Sequence, residues 1–561
     1  MMNLRHLPGF RGTAAGLLAA AILAASPAAA QTGPAPAGAP VVDAPAGQIR
    51  GQGQGDLRVF RGIPYALPPV GARRWRAPAP MPRWTGVRNA DAFGPACVQP
   101  QLGRLSSIYA GDPMPVSEDC LSLNIWAPAG AQRAPVIVWI HGGALWSGSS
   151  RDPLYDGALL AGRGVIVVSI NYRLGVLGWL AHPGLSRESP QRVSGNYGLL
   201  DQLEALRWVQ RNIGAFGGDA ANVTVAGESA GALSILYLMA SPDARGLFGK
   251  AIVQSGYMIS MPELRSARHG APSAEGAGEL LGQALHAPDI GALRAMDPVA
   301  LTNAAAASGF GPFGNVDGHV LPEQMVDAFD AGRQARIPVI AGFNSGEIRS
   351  LRVLAPPVPA NAAAYESRIR ERYGDLADAF LRLYPSAHMA ESILATTRDA
   401  LYGWTAERVA RRQTAQGQPA YLYLFDHGYP AADEAGLHGF HASELPYMFG
   451  TFAGLPPRWP RPPATPGEAA LSEAMIDYWT SFARTGRPET AHAPAWPAYG
   501  APGAYMHFTD TPHPATALMP GMYALNEEVV CRRNAAGGIG WNWNVGMASP
   551  PLPPPLERCR Q

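Results

Sequence analysis

Lysine is almost missing from this sequence of 561 residues: Lys250 stands alone, and the basic charge is otherwise arginine. We read that bias as compositional rather than functional. The formal net charge is only +1, so there is no electrostatic case for nucleic acid or for an acidic partner. Long apolar runs are absent as well. Ala14 to Ala25 is apolar but too short to cross a bilayer, and no other stretch qualifies as a transmembrane helix. There is no P-loop, no dinucleotide-binding fingerprint, no zinc-ligand spacing and no EF-hand loop. Neither a metal nor a cofactor is therefore expected.

What is present begins with a targeting pattern. Arg5, His6 and Arg11 make a weakly basic start, the apolar run follows, and Ser26-Pro27 breaks it before Ala28-Ala-Ala30. This predicts a signal peptide over residues 1–30; a membrane anchor would need a longer run. Residues 31–48 are rich in Ala, Pro and Gly and are expected to form a leader. An exported chain with four cysteines is expected to form two disulfides among Cys97, Cys120, Cys531 and Cys559. Three pairings are open; the local one is Cys97–Cys120 with Cys531–Cys559.

With 64 Gly and 54 Pro, loops should be long and numerous. Pro135 to Ile140 and Val165 to Ile170 are continuous apolar runs, as strands covered on both faces would be. Apolar residues at 199, 200, 203, 206 and 209 make a helical stripe. Ala251 to Val253 and Pro338 to Ala341 read as further strands, and Tyr421 to Phe425 as the last central one. Val59 to Ala66 reads as an edge strand, residues 257–310 as helix-rich, and Leu471 to Phe482 as one face of a late helix. Strands alternating with helices predict an α/β fold with a mostly parallel sheet covered on both faces. A single catalytic domain is expected over 49–531, with residues 532–561 as a C-terminal extension.

The chain is organised around Phe216-Gly-Gly-Asp219 and the twelve residues after it. Val223 to Ala226 is a β-branched run, Gly227-Glu-Ser-Ala-Gly231 is G-x-S-x-G, and Ala230 to Ala240 reads as a helix of small and apolar residues. Strand, tight turn and helix are the context of a nucleophile elbow, with Ser229 held in a strained backbone conformation.

Further stretches carry a resemblance. Phe60 to Gly71, Glu118 to Trp126, His141-Gly-Gly143, Asn171 to Gly175, Gly195 to Gln202, Gln254-Ser-Gly256, His441 to Gly450 and Tyr478 to Pro488 join the elbow in one order. Together they are similar to the type-B carboxylesterase/lipase family, the cholinesterase-like branch of the α/β hydrolases. Ser122 departs from it, where the family usually has an aromatic residue or Thr. The resemblance implies an α/β-hydrolase fold with long loops around the site, a small-molecule ester as substrate and no cofactor. It implies a serine carboxylesterase; the alternatives within it are a non-catalytic cholinesterase-like binding protein, which would lack a triad member, and a lipase on longer esters.

The resemblance also assigns roles. His441 opens a loop like the family's catalytic one, ahead of its rival His438. Glu347, just past the strand ending at Ala341, matches the catalytic acid, ahead of Asp317. Gly142 and Gly143, with Ala230 after the nucleophile, imply an oxyanion hole. His141 reads as a structural ring. Glu228 is expected to point away from Ser229 as buried support, Ser255 to stand behind the site, Trp146 to line the pocket, and the Cys97–Cys120 loop with Leu105 and Tyr109 to wall the entrance. One carboxylate raises the pKa of the base and burial lowers it, so an ionisation near the ordinary value of ~6.5 is expected.

Overall fold

The protein is described by a computed structural model over residues 39–100, 107–500, 502–541 and 545–560; the predicted signal peptide and residues 31–38 of the predicted leader lie outside them. Alternation along one central strand explains the layering. In Ala134–Ile140 every residue is buried. Val136, Val138 and Ile140 enter one core, while Ile137 and Trp139 enter another. Side chains of a strand point to opposite faces in turn, so a fully apolar strand requires cover on both sides.

Among the described residues eleven strands form the main sheet: β1 (Gln52–Gln54), β2 (Leu57–Pro64), β3 (Ser122–Pro128), β4 (Ala134–Ile140), β5 (Ile166–Ile170), β6 (Gly218–Glu228), β7 (Lys250–Gln254), β8 (Val339–Asn344), β9 (Ala420–Phe425), β10 (Ala504–Phe508) and β11 (His513–Thr516). Their spatial order is β11-β10-β9-β8-β7-β6-β4-β5-β3-β2-β1. From β5 to β10 all neighbours are parallel. The pairs at both ends are antiparallel.

Five helices matter for the site: α1 (Tyr197–Asn212), α2 (Ala230–Ala240), α3 (Trp404–Ala415), α4 (Pro466–Thr485) and α5 (Met522–Ala536). Every residue of α2 is buried, as its apolar composition all round requires. It packs with Leu203 and Leu206 of α1 and Trp404 and Val409 of α3 on one face of the sheet. Leu471, Met475, Trp479 and Phe482 of α4 fill the other. Each large apolar side chain removed from water in this way contributes about 1.5–3 kcal/mol before the entropy of ordering it is counted.

Four expectations need correction. Tyr421 to Phe425 is not the last central strand: β10 pairs parallel beside it, and β11 closes the edge. Alternating burial along β10 hides it from a search for continuous apolar runs. The strand over Val59 to Ala66 is not at the edge, because β1 covers it. The expected leader ends early, since Val41–Ala44 pairs antiparallel with Gly47–Arg50. The boundary at 531/532 falls inside α5.

The cysteines pair locally, Cys97 with Cys120 and Cys531 with Cys559. Among the described residues no helix is long and apolar enough to cross a membrane.

Candidate active site

The C-terminal ends of β6, β7, β8 and β9 meet the loop after β4, and that convergence builds the site. Ser229 sits where β6 turns into α2, with φ 55° and ψ −121°. This is left-handed backbone that L-residues avoid. Its N–H donates to the carbonyl of Gln254 at the end of β7 (2.9 Å). The flanking glycines have a steric reason. A Cβ on Gly231 would stand 2.0 Å from the Ile140 carbonyl oxygen, and one on Gly227 2.7 Å from the same atom. The strand order thus forces G-x-S-x-G at this crossing, and Ser229 Oγ is left beside the N-terminus of α2, where the helix dipole favours negative charge.

The loop after β4 presses on the serine from the other side. A Cβ on Gly142 would lie 3.2 Å from Ser229 Cβ and 2.8 Å from the Glu228 carbonyl oxygen. Gly143 has φ +105° and is followed by Ala144 and Leu145, both at positive φ. Among the described residues the N–H groups of Gly142, Gly143 and Ala230 donate to no other group. Unpaired backbone donors in the loop after β4 and at the start of α2, next to the nucleophile, are groups of the kind that can hold a developing oxyanion. The His141 ring stacks on Tyr172 with centroids 4.5 Å apart, and burial lowers its pKa to about 4.

Glu347 follows β8 and is fully buried. Oε1 accepts from the Asn344 N–H (2.9 Å), and Oε2 bonds His441 Nδ1. The loops carrying the two residues are stitched together by Gly346 N–H to Gly439 carbonyl (2.7 Å) and by the Asn344 side chain to the Phe440 carbonyl (2.8 Å). The rivals are engaged elsewhere. His438 bonds Asp433 and Asp426, and Asp317 accepts from His319 N–H, Leu321 N–H and the Asn196 side chain, as a turn residue does.

Glu228 makes a contact that the sequence reading did not foresee. Its Oε1 lies 3.0 Å from His441 Nε2. No hydrogen bond joins Nε2 to Ser229 Oγ. Glu228 is buried, with its carboxylate beside the imidazole. Glu444, three residues past His441, is buried nearby; it accepts from the side chains of Gln254 (3.0 Å) and Asn344 (2.6 Å). Burial drives the His441 imidazolium pKa down, but the charges of Glu228 and Glu347, the Glu347 bond and the charge of Glu444 outweigh it, so the net direction is up. Burial raises the Glu228 carboxyl, with the His441 charge opposing. The expected ionisation near ~6.5 counted one carboxylate, whereas three surround the ring.

Gln254 had no role in the sequence reading beyond its place in a motif. Its carbonyl takes the Ser229 N–H, and its side chain bridges Trp479 of α4 and Glu444. Ser255 is fully buried at φ 48°, with its hydroxyl lacking a described protein partner. Trp146 packs edge to face on Phe310, 6.2 Å between centroids. From the Cys97–Cys120 loop, Tyr109 reaches the His441 ring (6.4 Å) and donates to the His441 carbonyl (3.0 Å). Leu105 lies outside the described residues. Tyr402, unnoticed in the sequence, flanks the imidazole at 5.4 Å from a π-helical turn, Asp399–Gly403.

Comparison with known proteins gives one consistent answer. The model of the carboxylesterase family matches residues 38–522. A fumonisin B1 esterase of Sphingopyxis macrogoltabida is 38% identical over 482 residues, 81% of this chain and 84% of that protein. A para-nitrobenzyl esterase of Bacillus subtilis is also 38% identical, over 82% of this chain and 92% of its own. Among solved structures, a PNB esterase superposes with a TM-score of 0.75 at 33% identity, covering 86% of this chain and 99% of that one. A carboxylesterase of Geobacillus stearothermophilus gives 0.74 at 35% identity with the same coverage.

Proposed function

The chain belongs to the carboxylesterase family and is a carboxylic ester hydrolase; from that premise we propose that it works as a serine esterase through an acyl-enzyme on Ser229. The observation that carries the proposal is the Glu347–His441 pair together with a strained serine at the strand-to-helix turn, against which the Gly142 loop packs. His441 takes the proton from Ser229 Oγ as the hydroxyl attacks the ester carbonyl. Gly142, Gly143 and Ala230 hold the tetrahedral oxyanion. His441 then returns the proton to the departing alcohol, and water repeats the sequence on the acyl group. Glu347 holds the imidazole tautomer and steadies the imidazolium.

Glu228 gives the cycle a resting position. The imidazolium is drawn to its carboxylate at 3.0 Å. Deprotonation removes that attraction and frees Nε2 to accept from Ser229. Apo geometry of this kind tightens when substrate arrives.

A fluorophosphonate probe tests the assignment. One equivalent should attach, and peptide mapping should place it on Ser229. Stoichiometric labelling elsewhere, or none by an enzyme that hydrolyses esters, overturns the serine mechanism.

We also infer export to an oxidising compartment, supported by the predicted signal peptide and the two disulfides. The mature protein should begin near Gln31 and carry no free thiol. Intact-mass analysis before and after reduction checks both. A retained leader, or four thiols alkylated without reductant, sinks the inference.

A further inference from the structure

Resting on the serine-esterase reading, we propose that Tyr257 and Tyr402 are specificity-determining residues, donating hydrogen bonds to an oxygen acceptor on the alcohol portion of the ester. Both rings belong to the site. Tyr257 follows Gln254-Ser255-Gly256, the turn whose first carbonyl anchors Ser229. Tyr402 flanks the His441 imidazole, and the two phenols meet edge to face with centroids 5.9 Å apart.

Both are deeply buried, with 8% exposure at Tyr257 and 3% at Tyr402, yet neither hydroxyl bonds another described residue. Their neighbours behave differently. Tyr109 donates to the His441 carbonyl (3.0 Å) and Tyr172 to the His141 carbonyl (2.8 Å). The hydroxyls of Tyr237 and Tyr423 are fully enclosed without a partner, whereas those of Tyr257 and Tyr402 are not among such enclosed atoms, so this pair keeps an open donor position beside the imidazole. Burial raises both phenol pKa values, which keeps the hydroxyls protonated as donors.

The rings are also held in place. The Met258 N–H, next to Tyr257, donates to Thr405 Oγ1 (3.0 Å), tying that segment to α3 just past Tyr402. Trp404 is pinned by Glu527 of α5 (2.7 Å) and packs on Trp541. Donors on braced rings lose little freedom when they bind.

The alcohol side follows from the chemistry. His441 must return its proton to the ester's alkoxy oxygen, so that oxygen and its substituent lie over the imidazole. Tyr402 flanks that ring. A second oxygen on the alcohol, as in a glycol ether or a hydroxyalkyl ester, is the acceptor the pair would meet. An alkyl ester of equal length would leave both hydroxyls unpaired, and sites built to hydrogen-bond discriminate strongly on that basis.

The test measures kcat/KM for 2-methoxyethyl and butyl esters of one acid, and for methoxyacetate and butyrate esters of one alcohol, with wild type and with Tyr257→Phe, Tyr402→Phe and the double variant. Wild type should prefer the methoxyethyl over the butyl ester. Each Phe variant should lower the methoxyethyl value about tenfold and leave the butyl value within about threefold. Equal losses on both alcohols, a loss confined to the methoxyacetate, or unchanged ratios would overturn the proposal. Esterase activity toward butyl esters and probe labelling of Ser229 in the same preparations keep its failure separate from failure of the serine mechanism.

Discussion

Ser229→Ala folds as the wild type does and loses nearly all turnover. The change removes one oxygen from a residue that is 8% exposed and whose structural bond, N–H to the Gln254 carbonyl, belongs to the backbone. Thermal unfolding should therefore move by no more than a degree or two, on the order of a surface substitution. The loss in kcat should be about 10⁴–10⁶-fold, because removal of a triad member leaves only substrate binding and the oxyanion donors. Retention of a tenth of wild-type turnover would exclude Ser229 as nucleophile. Burst kinetics with a chromogenic ester make a second check, since the wild type should release one equivalent of alcohol ahead of steady state and the variant none.

That prediction rests on the part of the molecule most legible in the sequence, and the reason is locality. Strand, turn and helix around Ser229 occupy consecutive residues. The two glycines are required by backbone of the same chain crossing within 3 Å. Glu347 and His441 meet across 94 residues, and nothing in their own segments measures that approach. Resemblance to a family placed them in the sequence reading; composition could not. Glu228 shows a different limit. Its identity was plain, but whether its carboxylate meets the imidazole depends on where a distant loop places His441, and a residue next to the nucleophile carries no local signal of that. Tyr402 had no motif at all: its role comes from a π-helical turn that swings one ring of an otherwise ordinary helical stretch onto the imidazole. The edges of the fold were misread for a reason of the same kind. The β10 strand is half covered, so its residues alternate between buried and half-buried instead of forming a continuous apolar run. Val41–Ala44 sits in an Ala- and Pro-rich stretch whose composition suggests a leader, and only pairing with Gly47–Arg50 makes it a strand.

Glu347→Gln should lower kcat by about 10³–10⁴-fold with KM nearly unchanged, because an amide leaves Ser229 and the three N–H donors in place but cannot fix the tautomer or support the imidazolium. Asp317→Asn, altering a turn that touches neither Ser229 nor His441, should do far less. The pH profile separates the carboxylates further. His441 works as neutral imidazole, and its pKa is raised in this site. The inactive imidazolium therefore persists to higher pH, so wild-type kcat/KM should rise with pH through a midpoint above the ordinary ~6.5 and fall away as pH drops through it. Glu228→Gln keeps the shape of the side chain and removes one of the charges holding the imidazolium. Its midpoint should move down toward ~6.5, while its plateau rate falls much less than that of Glu347→Gln. If Glu228→Gln leaves the midpoint where it was, the carboxylate at 3.0 Å does not set the ionisation of the base. If instead Asp317→Asn is dead and Glu347→Gln active, the acid has been misassigned, whereas Ser229 and His441 would keep their roles.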